Sequence, residues 1–232
     1  MDFLEEDMYA PICDYLKENG YEVRGEVKDC DIVAYKDEKL TVVELKRAFN
    51  LKLIFQAIDR QDFAKSVYIA IGRGKNGMRD ANYKSMIKLL KRLDLGLITV
   101  AMDSPIKTVE VVLEPENERK IKSYKRKKAL EREFEGRSGN YNKGGVNKTK
   151  IITAYREKSI EILCLLSKSE VITNSELKKM GYNNKAMDIL RKNYYGWFEK
   201  VERGKYGISA SGIEAMDEEK YQKLIEYYSE KF

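Results

Sequence analysis

An α/β domain with a mixed sheet flanked by helices, then a basic linker and a small helical domain carrying a β-hairpin, is the architecture this sequence predicts. Three observations predict it. Six short segments before residue 118 are apolar or alternate, and stretches with helical spacing separate them. Residues 119–150 hold twelve Lys and Arg against three Asp and Glu, a basic excess larger than the whole chain's net charge of +6. From Thr153 the pattern becomes three helices followed by one hairpin. The boundaries drawn are 1–118, 119–150 and 151–232.

Leu4, Met8, Ile12, Tyr15 and Leu16 recur at helical spacing, which predicts a helix over 3–18 stopped by Asn19-Gly20. YEVRGEV alternates as a strand. DIVAY, a turn at KDEK and LTVVELK read as a hairpin. Leu53, Ile54, Ala57, Ile58 and Ala64 place a helix over 50–65. SVYIAIG is a strand, ANYKSMIKLLKRLD a helix, and LGLITVAM and TVEVVLE two further strands. The order is α-β-β-β-α-β-α-β-β, closing near residue 118. A basic helix over 119–134 and a glycine- and asparagine-rich loop over 137–148 lead to the second domain. There, helices are expected at 153–166, at a short segment capped by Asn174 or Ser175, and at 183–194. A hairpin turning at Arg203-Gly204 and a helix from Ser211 follow. Three helices with a β-wing make a winged helix-turn-helix. Tyr194, Tyr195, Trp197 and Phe198 are expected to be core at the junction of the wing.

Composition narrows the chemistry. The chain has no histidine, and its cysteines (Cys13, Cys30, Cys164) are scattered. Zinc-ligand sets and histidine-based catalysis are therefore disfavoured, and the thiols read as reduced, buried groups. No apolar run has membrane-spanning length and the acidic start is unlike a signal peptide, so the expected location is cytoplasmic, with no membrane partner. The basic run suits polyphosphate, with nucleic acid, DNA first, as the expected partner. A solvated basic linker explains the same run.

Glu44 and Lys46 lie two residues apart in LTVVELK, so they share one face of a strand that otherwise reads as buried. Desolvating a carboxylate and an ammonium there is costly. Asp31 opens the neighbouring strand, and Glu5 lies on the side of the first helix that faces the sheet, with Glu6 as its substitute. Acids converging at a strand end suit Mg²⁺ (or Mn²⁺), with Asp31, Glu44 and the Leu45 carbonyl as inner ligands and Glu5 nearby. Such a metal activates water, and Lys46 would position or deprotonate that water and offset transition-state charge. An ordinary Glu44–Lys46 ion pair on an exposed edge strand explains the two residues equally simply.

The segment from Asp31 through Glu44-Leu45-Lys46 resembles the PD-(D/E)XK nuclease superfamily, the restriction-endonuclease-like fold. The helix acid, strand Asp, (D/E)xK strand and following helix of that family are similar to residues 1–71, with Cys30-Asp31 in place of the usual Pro-Asp. The resemblance implies that Asp31 and Glu44 hold metal, that Lys46 is the catalytic lysine and that Glu5 matches the helix acid. It also implies that Gln56, on the helix after the ExK strand, holds the lysine or the scissile phosphate, with Arg60 one turn on along the same stripe contacting nucleic acid. Restriction enzymes of this fold are often dimers, which leaves a homodimer open. EDMYAPICDYLKENGYEV and NYNKGGVNKTKIITAYRE are similar to a bacterial family of uncharacterised PD-(D/E)XK phosphodiesterases.

In the winged helix, Asn183, Asn184, Lys185, Arg191 and Lys192 are the expected groove contacts, and Arg203 and Lys205 flank the tip of the wing. Lys125, Arg126 and Lys127 would track the backbone from the linker. The expected function is metal-dependent hydrolysis of phosphodiester bonds in DNA. The alternatives are a non-catalytic DNA-binding or regulatory protein on a nuclease-like scaffold, or a protein-interaction adaptor.

Overall fold

Pro11 decides how the chain begins. In a helix running unbroken from residue 3, Pro11 would have to donate to the Asp7 carbonyl, which it cannot do, and its ring would crowd that carbonyl. The expected helix over 3–18 is accordingly two pieces: a 3-10 turn, Glu5–Asp7, and α1, Tyr9–Glu18, with Pro11 inside the first turn where no donor is needed. Asp7 Oδ2 accepts from Leu4 N at 2.8 Å and tightens the 3-10 turn. Gly20, at φ +82°, ends α1 in the left-handed conformation that glycine accepts without strain. The structure, a computed structural model, describes residues 3–73, 81–103, 105–116, 120–142 and 151–232.

The chain forms two compact units, Met1–Ile151 and Ile152–Phe232. In the first, β1 (Glu22–Val27), β2 (Cys30–Lys36) and β3 (Lys39–Lys46) form an antiparallel meander. Its tight turns, Lys28-Asp29 and Asp37-Glu38, have positive φ at both central positions, which matches the right-handed twist of the strands. The chain then alternates: α2 (Leu51–Arg60), β4 (Ser66–Arg73), α3 (Ala81–Leu93), β5 (Gly96–Ala101) and β6 (Val109–Leu113). The six-stranded sheet runs β1-β2-β3-β4-β5-β6, with β3, β4 and β5 parallel and β6 antiparallel. This is the mixed sheet, in the element order, that the sequence predicts.

Each face of the sheet buries an apolar cluster. Met8, at the N-terminal cap of α1, and Ile12 and Leu16 within it cover Ile32, Val43, Leu45 and Ala70 on one face. Leu53, Ile54 and Ala57 of α2, with Met86 and Leu90 of α3, cover Val42, Ile69 and Ile71 on the other. The second face has a further cover. Helix α4 (Tyr124–Glu135) inserts Leu130 and Phe134 into the same cluster. After it, buried Arg137 donates to the Gly25 and Glu26 carbonyls at 2.9 Å each. Asn140 Oδ1 accepts from Gly25 N at 2.9 Å and from Tyr9 Oη at 2.9 Å, and Asn142 O accepts from the same hydroxyl at 3.0 Å. Gly25 has no room for a Cβ between Tyr9 and Asn142. The stretch expected as a linker thus packs against edge strand β1. Residues 143–148 of the expected glycine-rich loop lie outside the described residues.

In the second unit α5 (Ala154–Ser167), capped by Thr153, buries Ile160, Leu163 and Leu166. There follow β7 (Ile172–Thr173), α6 (Asn174–Lys179), α7 (Asn184–Lys192), β8 (Phe198–Glu202), β9 (Lys205–Ile208), α8 (Ala210–Asp217), a 3-10 turn (Glu219–Tyr221) and α9 (Gln222–Lys231). The strands pair as β7-β9-β8. The cap of α6 is Thr173, not Asn174 or Ser175: its hydroxyl accepts from Glu176 N at 3.2 Å while Glu176 Oε2 accepts from Thr173 N at 2.7 Å. Asn193, left-handed at φ 45°, ends α7, and its side chain exchanges two hydrogen bonds with the Phe198 backbone, at 2.6 and 3.1 Å. Trp197 and Phe198 are buried as expected, but Tyr194 is 70% exposed, because the left-handed turn at Asn193 carries it off the inner face of α7.

Candidate active site

The β2–β3 ladder ends at Ile32 opposite Val43. One step further, Asp31 and Glu44 would face each other. Asp31 instead turns its carboxylate to the chain, and Oδ2 accepts from Leu45 N at 2.7 Å. Of Leu45, then, the structure engages the N–H with the neighbouring acid. Alternation places Glu44 with Val42 and Leu40 on the face covered by α2.

Glu44 is fully buried. Its Oε1 accepts from Arg60 Nε at 2.8 Å, and its Oε2 is buried with no partner. Burial, then the charge of Asp31, push the Glu44 carboxyl up to about 7, against the pull of Arg60. Burial also raises the Asp31 carboxyl, with the Glu5 charge adding to it and the Leu45 N–H and Lys46 opposing. These directions share one physical origin. Carboxylates are crowded at a strand end where water is scarce.

Lys46, the last residue of β3, donates from Nζ to Glu5 Oε2 at 2.7 Å. The structure therefore brings together Glu5, Asp31, Glu44 and Lys46, as the sequence predicts, but Glu5 turns to Lys46 instead of joining Asp31 and Glu44. Among the described residues no group of three or more His, Cys, Asp and Glu side chains is arranged to hold a metal ion. Two carboxylates remain, one with a desolvated and unsatisfied oxygen. That hard-oxygen pair is a fit for Mg²⁺ or Mn²⁺, ions that take one or two protein carboxylates and keep waters.

Arg60 is where sequence reasoning placed a residue wrongly. It was expected on the stripe it shares with Gln56, in contact with nucleic acid. It is 8% exposed, and all three guanidinium nitrogens are engaged: Nε with Glu44, Nη1 with Asp59 Oδ2 at 3.0 Å and Nη2 with Asp29 O at 2.6 Å. The signal was present, since Leu53, Ala57 and Arg60 follow the i, i+4, i+7 spacing of an inner face. Gln56 lies one turn before Arg60, half-buried, with Oε1 desolvated and unpartnered.

The basic residues of 119–150 are less available than their number suggests. Arg126 grips Asp59 with two bonds, at 3.0 and 2.6 Å, and stacks over Phe63. Lys127 pairs with Glu131 at 3.3 Å, while Lys125 is exposed. In the second unit Asn184 and Lys185 are exposed at the start of α7, behind the Asn183 cap. Arg191 pairs with Asp188 at 2.7 Å. Arg203 is exposed at the hairpin turn, and Lys205 pairs with Glu202 at 2.8 Å.

Comparison with known proteins adds a family. Its sequence profile, described as “Putative PD-(D/E)XK phosphodiesterase (DUF2161)”, matches residues 98–215, from β5 through most of α8. The span begins after Lys46, so the acids and the lysine lie upstream of it. No curated protein and no solved structure matches. No helix among the described residues is long and apolar enough to cross a membrane. Since the matched span exceeds half of the sequence, the chain belongs to this DUF2161 family; strands β2 and β3, upstream of the span but in the same sheet as β5 and β6, carry Asp31, Glu44 and Lys46.

Proposed function

We propose that the protein is a divalent-metal-dependent nuclease that hydrolyses phosphodiester bonds in DNA, placed on its substrate by a C-terminal winged helix. The observation that carries the reading is Glu44 Oε2, a desolvated carboxylate oxygen without a partner, beside a second carboxylate that is also raised by burial. An ordinary core has no use for such a pair.

Asp31 and Glu44 would hold the metal, with the Leu45 carbonyl the third expected donor. The bound ion supplies charge stabilisation at the phosphate and a more acidic water. Lys46, released from Glu5, aims Nζ at the attacking water or the scissile phosphate, and Glu5 holds that ammonium in register between turnovers. Gln56 offers its unpartnered amide oxygen to the same water or to Lys46. Arg60 fixes Glu44 by holding Oε1, which leaves Oε2 for the ion. In the second unit, α6 and α7 would form the helix-turn-helix, with Asn184 and Lys185 at the groove and Arg203 at the wing tip.

One observation favours a different reading. The Arg60 guanidinium already offsets the Glu44 charge, as a cation would, which suits a DNA-binding regulatory protein on a nuclease-like scaffold. Incubating the protein with labelled single-stranded, duplex and branched DNA, with Mg²⁺, Mn²⁺ or EDTA, separates the two. The nuclease cleaves only with metal, and Lys46→Ala and Asp31→Ala abolish cleavage. Full metal-dependent cleavage by Asp31→Ala would refute the assignment. Binding without cleavage on every DNA would favour the scaffold.

A further inference from the structure

We propose that a cavity beside the end of β3 is a nucleotide subsite, which takes one unpaired base of the nucleic acid whose backbone reaches Lys46; it rests on the nuclease reading above and names what that site would engage. The cavity, of about 620 Å³, lies within the usual size of small-molecule sites. Its walls include Arg47, Phe49, Asn82 and Tyr83, and its floor is Ile71 and Met86. Ile71 is the partner of Lys46 in the β3–β4 ladder, and Arg47 is the next residue along the chain. The cavity therefore opens where a strand lying across Lys46 would present its adjoining nucleotide.

Its chemistry is selective. Among the described residues, the walls contain one charged residue, Arg47, and no carboxylate, although 35% of the chain is charged. A second cavity, beside α1, is lined by Glu6, Asp7, Asp14 and Glu18 and would repel a phosphate. A third, in the C-terminal unit, holds Glu161 tied to Lys158 and Tyr182. Among these three, the β3 cavity is the one that sets Phe49 and Tyr83, the Asn82 amide and the Arg47 guanidinium beside the end of β3 that carries Lys46. Phe49 and Tyr83 are half-buried, each with part of its ring packed on the core and part left to the cavity. Base–aromatic stacking needs the π-face of the base, which neighbouring bases cover in a duplex. The occupant is therefore unpaired: a single strand, a flap or an extruded base.

The test measures binding in EDTA, where no cleavage occurs, using fluorescently labelled oligothymidylate and an abasic deoxyribose-phosphate chain of the same length. The protein is expected to prefer the base-bearing chain. Tyr83→Ala should weaken that binding about tenfold and leave the abasic chain unaffected. Because Tyr83 also packs on the core, Ser85→Trp serves as a second variant: Ser85 is exposed at the rim, so an indole there fills the cavity without emptying the core. It should remove the same preference. Equal affinity for the two chains, no binding of either, or a preference untouched by Ser85→Trp would each overturn the subsite. The readout is independent of hydrolysis. A base preference in a protein that never cleaves would therefore sink the nuclease and keep the subsite.

Discussion

Arg60 and Glu44 show how one pair can serve both the fold and the site. A buried carboxylate that loses its only guanidinium is left uncompensated, at a cost of about 3–5 kcal/mol. Arg60→Ala should therefore destabilise the protein by about that amount in urea unfolding, and by markedly less in a Glu44→Gln background, where no charge remains to strand. Equal losses in both backgrounds would mean that the pair does not couple. Nearby, the Arg126 side chain holds the Asp59 carboxyl below its ordinary value. An acid depressed in the folded state stabilises above its unfolded value and loses that contribution as pH falls through the folded one. Asp59 is 49% exposed, so the effect is screened: Asp59→Asn should cost up to about 1 kcal/mol at pH 7 and nothing once both states are protonated, well below about pH 4. Unfolding followed against pH checks the sign. The thiols make a third case. Cys13, Cys30 and Cys164 are all buried and burial raises each, Cys13 to about 11. Alkylating reagents at neutral pH should leave them unmodified until the chain unfolds, as mass spectrometry would show.

At the level of elements, the hydrophobic periods were legible and the interruptions were not. The order of nine helices and strands up to β6 follows from alternation and 3.6-residue spacing, and the hairpin that places Asp31 beside Glu44 follows from a short polar turn. Pro11 and the Thr173–Glu176 capping pair were written in the sequence too, but one acts through a donor it lacks and the other through local side-chain-to-backbone bonds, which periodicity does not weigh. Arg60 was misplaced because a charged residue on an inner face is normally excluded, and only the acid opposite it makes the burial tolerable. Helix α4 was legible as a basic helix, but its packing on the sheet was hidden by its composition: the basic residues read as a connection between domains, while Leu130 and Phe134 are the residues it buries. Phe134→Ala should therefore cost about 3 kcal/mol, the penalty of a core aromatic, where a linker residue would cost almost none. Chemical denaturation decides between them.

For the whole molecule, the count of basic residues overstates the charge on offer. Lys122, Arg126, Lys127 and Arg137 are already paired with acids, so binding to DNA should rest on fewer phosphate contacts than the twelve basic residues of 119–150 imply. Affinity should fall linearly on a log–log plot against salt, with Lys125→Ala making the slope shallower by about one unit. An unchanged slope would remove Lys125 from the interface. The strap from Arg137 to Asn142 has a consequence in time as well as in energy. It bonds to Tyr9 and Gly25, so partners separated by 131 and 115 residues must meet before β1 is covered. During synthesis the sheet can assemble from its parallel centre while that edge stays open, until residue 142 has emerged from the ribosome. A nascent chain stalled short of that point would present a bare strand to its neighbours on a polysome, and this is the interval in which a chaperone would matter most.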